Sequence, residues 1–215
     1  MSEVVPRQPA DTIPDPVAPI VELMSSFPAP WALCGGWAVD AWLGRKTREH
    51  GDVDIVVFIQ DQQALYEHLR GWQLVAHAPN ERVDRNEVWD GHRLDLPMHI
   101  HGRVDRGEAI PERGALWPED GFVLDLQFGD RAGGDWILPS EPQITRPLSE
   151  VIQQSSWGVP AVVAELLFFF KATEPRRRDT FDFHALGPKL SREQRDWLRD
   201  ALPRVRHPWL AQLTG

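Results

Sequence analysis

The sequence predicts an α/β (α+β) protein in which strands and helices form two lobes around one cleft. The stretch from Trp31 to Phe58 has the pattern strand, glycine turn, short helix, basic loop and strand. A second stretch, Pro160 to Ala172, predicts a helix with too many apolar residues for a single stripe, which indicates a buried element. At 215 residues, of which 42% are hydrophobic, the chain can bury one sizeable core or two small lobes.

The first strand and the turn after it predict a site for an anion. The apolar segment from Trp31 to Cys34 predicts a short strand. Gly35-Gly36 then removes two side chains where the backbone must turn sharply or approach a ligand closely. Trp37 to Leu43 predicts a mostly apolar helix that ends at Gly44. Backbone amides at such a turn and helix start can bind a phosphate.

Two aspartates on the second strand predict a cation site. This strand is predicted from Asp52 to Phe58. Asp52 and Asp54 stand two residues apart in it, so both carboxylates project from one face, about 6 to 7 Å apart. Charges this close repel each other by about 2 to 3 kcal/mol at an effective dielectric near 20, and a divalent cation offsets this repulsion. Carboxylates suit Mg²⁺, which also binds substrate phosphates. A glycine turn followed by paired aspartates therefore predicts metal-assisted phosphoryl or nucleotidyl transfer.

The residues GGWAVDAWLGRKTREHGDVDI, from Gly35 to Ile55, resemble the signature of the aminoglycoside and lincosamide nucleotidyltransferases, within the DNA polymerase beta-like nucleotidyltransferase superfamily. The shared pattern is Gly-Gly-Trp, an aspartate three residues after the Trp, a Gly, Thr-Arg-x-His and Asp-x-Asp. The resemblance implies a nucleotidyltransferase fold, with a mixed β-sheet flanked by helices and a small helical C-terminal lobe. It also implies Mg²⁺ as cofactor, held by Asp52 and Asp54, and ATP or another nucleoside triphosphate as co-substrate.

The resemblance further implies a third carboxylate on a neighbouring strand, as a metal ligand or as the base for the acceptor hydroxyl. Two positions compete for this role: Asp95 in the segment RLDLPM and Asp125 in the segment FVLDLQF. We favour Asp125, because the ungapped resemblance runs longer on that side. Asp125 is therefore the third predicted metal ligand, and Asp95 is kept as the alternative catalytic carboxylate.

A second matching segment, GVPAVVAELLFFFKATEPRRRDTFDF, resembles the family's second-lobe pattern. By this resemblance Lys171 contacts nucleotide phosphates. Arg48 could hold either a phosphate or Asp40, and His50 could orient an aspartate or cap a strand. The pair Asp179 and Asp182 could bind Arg176, Arg178 or Lys171. The complete set of predicted nucleotide-binding residues is Gly35, Gly36, Trp37, Arg48, His50 and Lys171.

The remaining sequence predicts further elements and a division of the chain. Asp90-Gly91 predicts the turn of a hairpin between Glu87–Trp89 and His92–Met98. The other expectations are helices at 20–27, 60–71 and 191–202, a strand at 73–78, a pairing of 99–104 with 122–128, and an irregular connector at 141–160. The predicted divisions are a proline-rich leader at 1–19, a nucleotidyltransferase lobe at 20–140, and a helical lobe at 141–215, which includes a helical segment at 208–213.

Charge and composition limit the partners. The net charge of −9 argues against an extended nucleic-acid surface and tolerates a cationic small substrate. A single cysteine and the absence of an apolar leader predict a cytoplasmic protein without a membrane segment. We therefore expect transfer of a nucleoside monophosphate to a hydroxyl of a small acceptor, such as an aminoglycoside or lincosamide. The alternatives are a toxin-antitoxin or regulatory module acting on a protein or tRNA, a module that binds nucleotide without turnover, and a Mg²⁺-dependent hydrolase. The sequence does not indicate an oligomeric state.

Overall fold

A computed structural model describes residues 13–77, 87–104, 123–139, 141–173, 175–202, 209 and 213. Within these ranges the chain forms a mixed β-sheet with helices packed around it, as the sequence predicts. The strands are β1 (Ala32–Leu33), β2 (Asp52–Phe58), β3 (Trp72–His77), β4 (Glu87–Val88), β5 (His99–Val104), β6 (Val123–Ala132), β7 (Asp135–Ile137), β8 (Thr145–Pro147), β9 (Ile152–Gln154) and β10 (Pro160–Val162). The helices are α1 (Ala18–Ser25), α2 (Gly35–Leu43), α3 (Gln62–His68), α4 (Leu148–Val151), α5 (Ala164–Thr173), α6 (Arg177–Leu186) and α7 (Arg192–Ala201).

The strand order across the sheet is β4-β3-β5-β6-β2-β1-β10-β9. Two of the neighbouring pairs are parallel, β2 with β6 and β1 with β10, and the other pairs in this order are antiparallel. At the far end of β6, β7 and β8 form an antiparallel extension. The register of the β2–β6 pair places Asp54 opposite Asp125.

The two faces of the central strands have opposite character because side chains alternate along a strand. On β2, Val53, Ile55 and Val57 are fully buried, whereas the aspartates between them are partly exposed. Leu124 and Leu126 of β6 continue the buried face. The same hydrophobic core includes residues of α1 and α3. The polar face is therefore the one that can receive a ligand.

The carboxyl-terminal helices pack mainly through aromatic side chains. Phe168 of α5 meets Phe183 of α6 edge to face, with ring centroids 5.0 Å apart. The ring of Trp209 stacks on Phe183 at 4.4 Å. Ser191 caps α7 as predicted, because its hydroxyl accepts a hydrogen bond from the Gln194 amide and the Gln194 side chain accepts one from the Ser191 amide. Most of the predicted helical segment 208–213 lies outside the described residues.

The predicted hairpin around Asp90-Gly91 is wrong. Glu87–Val88 pairs with β3, and residues 92–98 form no strand. The side chain of Gln62 accepts a hydrogen bond from the Leu94 amide and donates one to the Leu94 carbonyl. These bonds satisfy the backbone groups that a partner strand would otherwise have bound.

The predicted irregular connector is also wrong, because residues 145–154 form β8, α4 and β9 in succession. Pro160 begins β10 and not a helix, and α5 starts only at Ala164. β10 lies between β1 and β9, with Ala161 opposite Leu33. A proline is tolerated here because it is the first residue of its strand. By contrast, the predicted pairing of 99–104 with 122–128 is confirmed as β5 with β6.

Candidate active site

The glycine turn brings a helix start against the carboxylates. α2 begins at Gly35, two residues earlier than predicted, and Gly35 has a φ of +61°. A side chain on Gly35 would collide with the Asp54 carboxylate, and one on Gly36 would collide with the Arg48 and His50 side chains. Glycine is therefore required at both positions, because the backbone there lies too close to these side chains to leave room for a Cβ atom. Trp37 has its ring in the core, 1% exposed, which leaves the backbone of this first turn as the part that can face a nucleotide.

The structure brings three carboxylates together on the polar face of the sheet. Asp52, Asp54 and Asp125 each offer one oxygen atom, and these atoms lie within 4.8 Å of one another. The Asp54 Oδ1 atom accepts a hydrogen bond of 3.1 Å from the Gln127 side chain. The Asp125 Oδ1 atom is buried and has no hydrogen-bond partner among the described residues.

Burial and mutual repulsion make this cluster unfavourable when it is fully ionised. Burial, and then the charge of Asp52, raise the pKa of Asp54 to about 6. Burial, and then the charges of Asp54 and Asp52, raise the pKa of Asp125. A divalent cation would offset this repulsion, and the orphaned Asp125 Oδ1 atom supplies a ligand for it. An all-oxygen set of three carboxylates fits Mg²⁺.

The stability of the metal-free protein should fall as the pH rises from about 4 to 6. In this range the unfolded chain loses the Asp54 proton, whereas the folded chain retains it until about pH 6. A pKa of about 6 in the folded chain, against about 3.9 in the unfolded chain, corresponds to about 2 to 3 kcal/mol of unfolding free energy, which is lost above pH 6. Mg²⁺ should restore it and raise the melting temperature by about 3 °C or more at pH 7.5, but less at pH 5.

Thermal melting with and without Mg²⁺ at both pH values tests this expectation. Asp54→Asn provides the control, since a neutral amide removes both the repulsion and a metal ligand, and its melting temperature should respond weakly to Mg²⁺. An equal Mg²⁺ effect at pH 5 and pH 7.5 would contradict the role of carboxylate repulsion.

Asp95 lies apart from this cluster. Its side chain is 90% exposed and forms a surface ion pair with Arg93, at 3.9 Å. The segment that carries it is not a strand, because the predicted hairpin does not form. Of the two positions proposed for the third carboxylate, the structure thus places only Asp125 beside Asp52 and Asp54.

The loop between α2 and β2 is held by a buried aspartate. Asp40, fully buried on α2, accepts hydrogen bonds from the Thr47 hydroxyl at 2.5 Å and from the His50 Nε2 atom at 2.7 Å. The His50 ring also packs on Trp37, with centroids 4.2 Å apart. Of the two roles predicted for His50, the structure shows the contact with an aspartate. The Thr-Arg-x-His pattern therefore fixes the loop over Gly36.

Arg48 connects this loop to the carboxyl-terminal helices. Its guanidinium donates two hydrogen bonds to Asp182 of α6, at 2.9 and 3.0 Å, so the ion pair proposed with Asp40 is wrong. Lys171 of α5 donates to Asp179 at 2.6 Å and to Asp182 at 3.0 Å. Of the three cations proposed as partners of these aspartates, the structure shows Lys171 bound to both. Burial by itself would raise the pKa of Asp182. The hydrogen bonds from Arg48 and the charge of Lys171 outweigh burial, so the pKa of Asp182 is lowered.

Several groups near the carboxylates were not among the predicted site residues. Gln127 contacts Asp54 directly, and the positive charge of Arg178, together with that of Lys171, opposes the rise in the pKa of Asp54. His99 and His101 of β5 flank Asp125. The only available signal for Gln127 was its two-residue spacing from Asp125. The predicted pairing of 99–104 with 122–128 brings the histidines to this strand, but the register that sets His101 opposite Asp125 came from the structure.

A mixed sheet with three clustered carboxylates beside a glycine-led helix is the arrangement expected of a nucleotidyltransferase. The sequence matches the family described as aminoglycoside-2''-adenylyltransferase over residues 17–186. The chain belongs to this family, and it is accordingly an adenylyltransferase.

Individual relatives agree with this assignment. A lincosamide resistance protein of Staphylococcus haemolyticus is 27% identical over 115 residues, which cover 52% of this chain and 71% of the relative. The lincosamide antibiotic adenylyltransferase LnuA, with lincomycin bound, has a TM-score of 0.53 at 17% identity, over 82% of this chain and 98% of its own. The antibiotic-resistance factor ANT(2'')-Ia in solution has a TM-score of 0.54 at 16% identity, over 88% and 90%. Its crystal structure with adenylyl-2''-tobramycin has a TM-score of 0.52 at 16% identity, over 87% and 95%. These structural likenesses support the fold.

The length and the hydropathy of the described helices decide whether any of them can cross a membrane. None of those within the described part of the chain combines the length and the apolar character needed to cross a bilayer.

Proposed function

We propose that this protein transfers AMP from ATP, with Mg²⁺, to a hydroxyl of a small antibiotic of the aminoglycoside or lincosamide class. The observation that carries the proposal is the cluster of Asp52, Asp54 and Asp125 beside the start of α2. The names of the family and of the relatives supply the acceptor class. We expect the reaction to occur in the cytoplasm, where ATP is available.

The residues can be given roles from their positions. Asp52 and Asp54 would hold Mg²⁺ against the triphosphate, and Asp125 would either complete the metal site or take the proton of the acceptor hydroxyl. When bound, Mg²⁺ neutralises charge on the phosphates. The amides at the start of α2 would bind a phosphate oxygen. The hydroxyl oxygen forms a bond to the α-phosphorus, the bond from the α-phosphorus to the bridging oxygen breaks, and pyrophosphate leaves.

Lys171 is proposed to neutralise the charge that develops on the phosphates. In the structure both Asp179 and Asp182 hold its ammonium group. An ammonium group has three donors, so these two hydrogen bonds leave one donor for a phosphate oxygen. The two aspartates would then orient the lysine and would not need to release it.

Pyrophosphate release from ATP tests the proposal. With Mg²⁺, release should require an acceptor, for which tobramycin and lincomycin are the first probes, and mass spectrometry should show an adenylylated product. Removing Mg²⁺ with a chelator should stop the reaction. Phosphate release without an acceptor would instead indicate a hydrolase, and nucleotide binding without any release would favour the regulatory alternative.

A further inference from the structure

Two histidines extend the polar face of the sheet beyond Asp125. In the β5–β6 register His101 lies opposite Asp125 and His99 lies opposite Gln127. The His99 Nδ1 atom is 3.7 Å from Asp125 Oδ1, and the His101 Nε2 atom is 4.0 Å from Asp125 Oδ2. The His101 ring also stacks on His77 of β3, with centroids 5.9 Å apart. The carboxylate of Asp125 is thus flanked by two imidazoles.

These imidazoles are available to a ligand. Their side chains are 31% and 22% exposed, and neither ring forms a hydrogen bond within the part of the chain that the structure describes. Distances of 3.7 and 4.0 Å are too long for a direct hydrogen bond to Asp125. An oxygen atom placed about 2.8 Å from both the His101 Nε2 atom and the Asp125 Oδ2 atom would bridge them, and the partly exposed His99 ring can bind a second ligand oxygen. A ligand hydroxyl has this chemistry, because it donates to one partner and accepts from the other.

The strand order places the histidines on the acceptor side of the site. β6 lies between β5 and β2, so Asp125 separates His99 and His101 from Asp52 and Asp54. The glycine turn, which would bind phosphate, contacts the Asp54 side. A triphosphate held there would present its α-phosphorus toward Asp125 from one direction, and the attacking hydroxyl would approach from the other.

We propose that His99 and His101 bind hydroxyl groups of the acceptor and so position the attacking hydroxyl beside Asp125. This inference rests on the proposed function and names the acceptor chemistry: a sugar-like region with at least two neighbouring hydroxyls, one that reacts and one that is held. The two histidines act as positioning and specificity residues.

The test replaces each histidine in two ways. His99→Phe and His101→Phe keep a ring but remove the nitrogen atoms. His99→Asn keeps a nitrogen near the Nδ1 position, and His101→Gln keeps one near the Nε2 position. His184, which is exposed in the last turn of α6, provides the matched control as His184→Phe. Steady-state kinetics would be measured with Mg²⁺, ATP and tobramycin or lincomycin, and thermal melting would verify folding.

Each phenylalanine variant should raise KM for the acceptor by about tenfold, the effect of one lost hydrogen bond to substrate. KM for ATP should change by less than about twofold. His99→Asn and His101→Gln should recover part of the loss, and His184→Phe should match the unaltered protein. An unchanged acceptor KM in both phenylalanine variants, or an equal rise in KM for ATP, would overturn the inference while leaving the proposed function intact. Failure of the unaltered protein to adenylylate either probe would count against the proposed function itself, and the inference would fall with it.

Discussion

Replacing Asp125 with asparagine should lower kcat by about a thousandfold while leaving the protein folded. The amide can neither accept the proton of the hydroxyl nor supply an anionic metal ligand, so both roles proposed for Asp125 are lost. Because the change also removes a carboxyl group whose ionisation is opposed by burial and by the charges of Asp54 and Asp52, the metal-free variant should be at least as stable at neutral pH. This combination separates a catalytic defect from a folding defect.

The matched control is Asp95→Asn. Its carboxylate is exposed and lies outside the cluster, so kcat should stay within about twofold of the unaltered value. Pyrophosphate release measures the activities, and urea denaturation measures the stabilities. A large loss in Asp95→Asn with a small one in Asp125→Asn would reverse the assignment of the third carboxylate. Small losses in both would remove a third carboxylate from the mechanism.

The second large effect is expected for Asp182→Ala, which should lower the free energy of unfolding by about 3 to 5 kcal/mol at pH 7. The Asp182 side chain is 1% exposed and is shared by Arg48 and Lys171. Its loss leaves two mostly buried cations with fewer partners. Urea denaturation monitored by tryptophan fluorescence measures the change.

The pH dependence of this loss has a definite sign. Because the pKa of Asp182 is lowered in the folded state, its contribution is present above the unfolded pKa of about 3.9 and disappears as the pH falls through the lower folded value. The difference between the two proteins should therefore shrink in acid. Asp196→Ala is the control, since this carboxylate is 43% exposed and pairs with Arg199 on the surface, and it should cost less than about 1 kcal/mol. A comparable loss in both variants would show that the buried Asp182 contributes no more to stability than an ordinary surface ion pair does.

Local pattern was sufficient to predict the centre of the site. The alternation of Asp52, Asp54 and the aliphatic residues between them predicted β2 with the bounds that the structure has. The glycine turn was also predicted from local pattern, because two adjacent residues without side chains are enough to indicate a sharp turn or a close approach. The predicted start of α2 was two residues too late, because glycine in general disfavours a helix. Only the close approach of Gly35 to Asp54, seen in the structure, explains why a glycine begins this helix.

Contacts between residues far apart in the chain could not be predicted from local sequence pattern. The partner of Arg48 lies 134 positions away, and nothing in the spacing of the loop distinguishes Asp182 from the nearer Asp40. The hairpin failed for a related reason. The Gln62 side chain, 32 positions from Leu94, takes the hydrogen bonds that local turn chemistry assigned to a neighbouring strand. Side chains that replace backbone partners leave no periodic signal.

The two-residue strand β1 has a consequence for the order in which the protein can be assembled. β1 joins β2 on one side and β10 on the other, and its partner Ala161 is 128 positions beyond Leu33. During synthesis on a ribosome, the nascent chain cannot complete the sheet next to the glycine turn until residues 160–162 have emerged. Any amino-terminal fragment that stops before them would carry both aspartates of β2 and yet leave β1 as an open edge, available to pair with other unfinished chains.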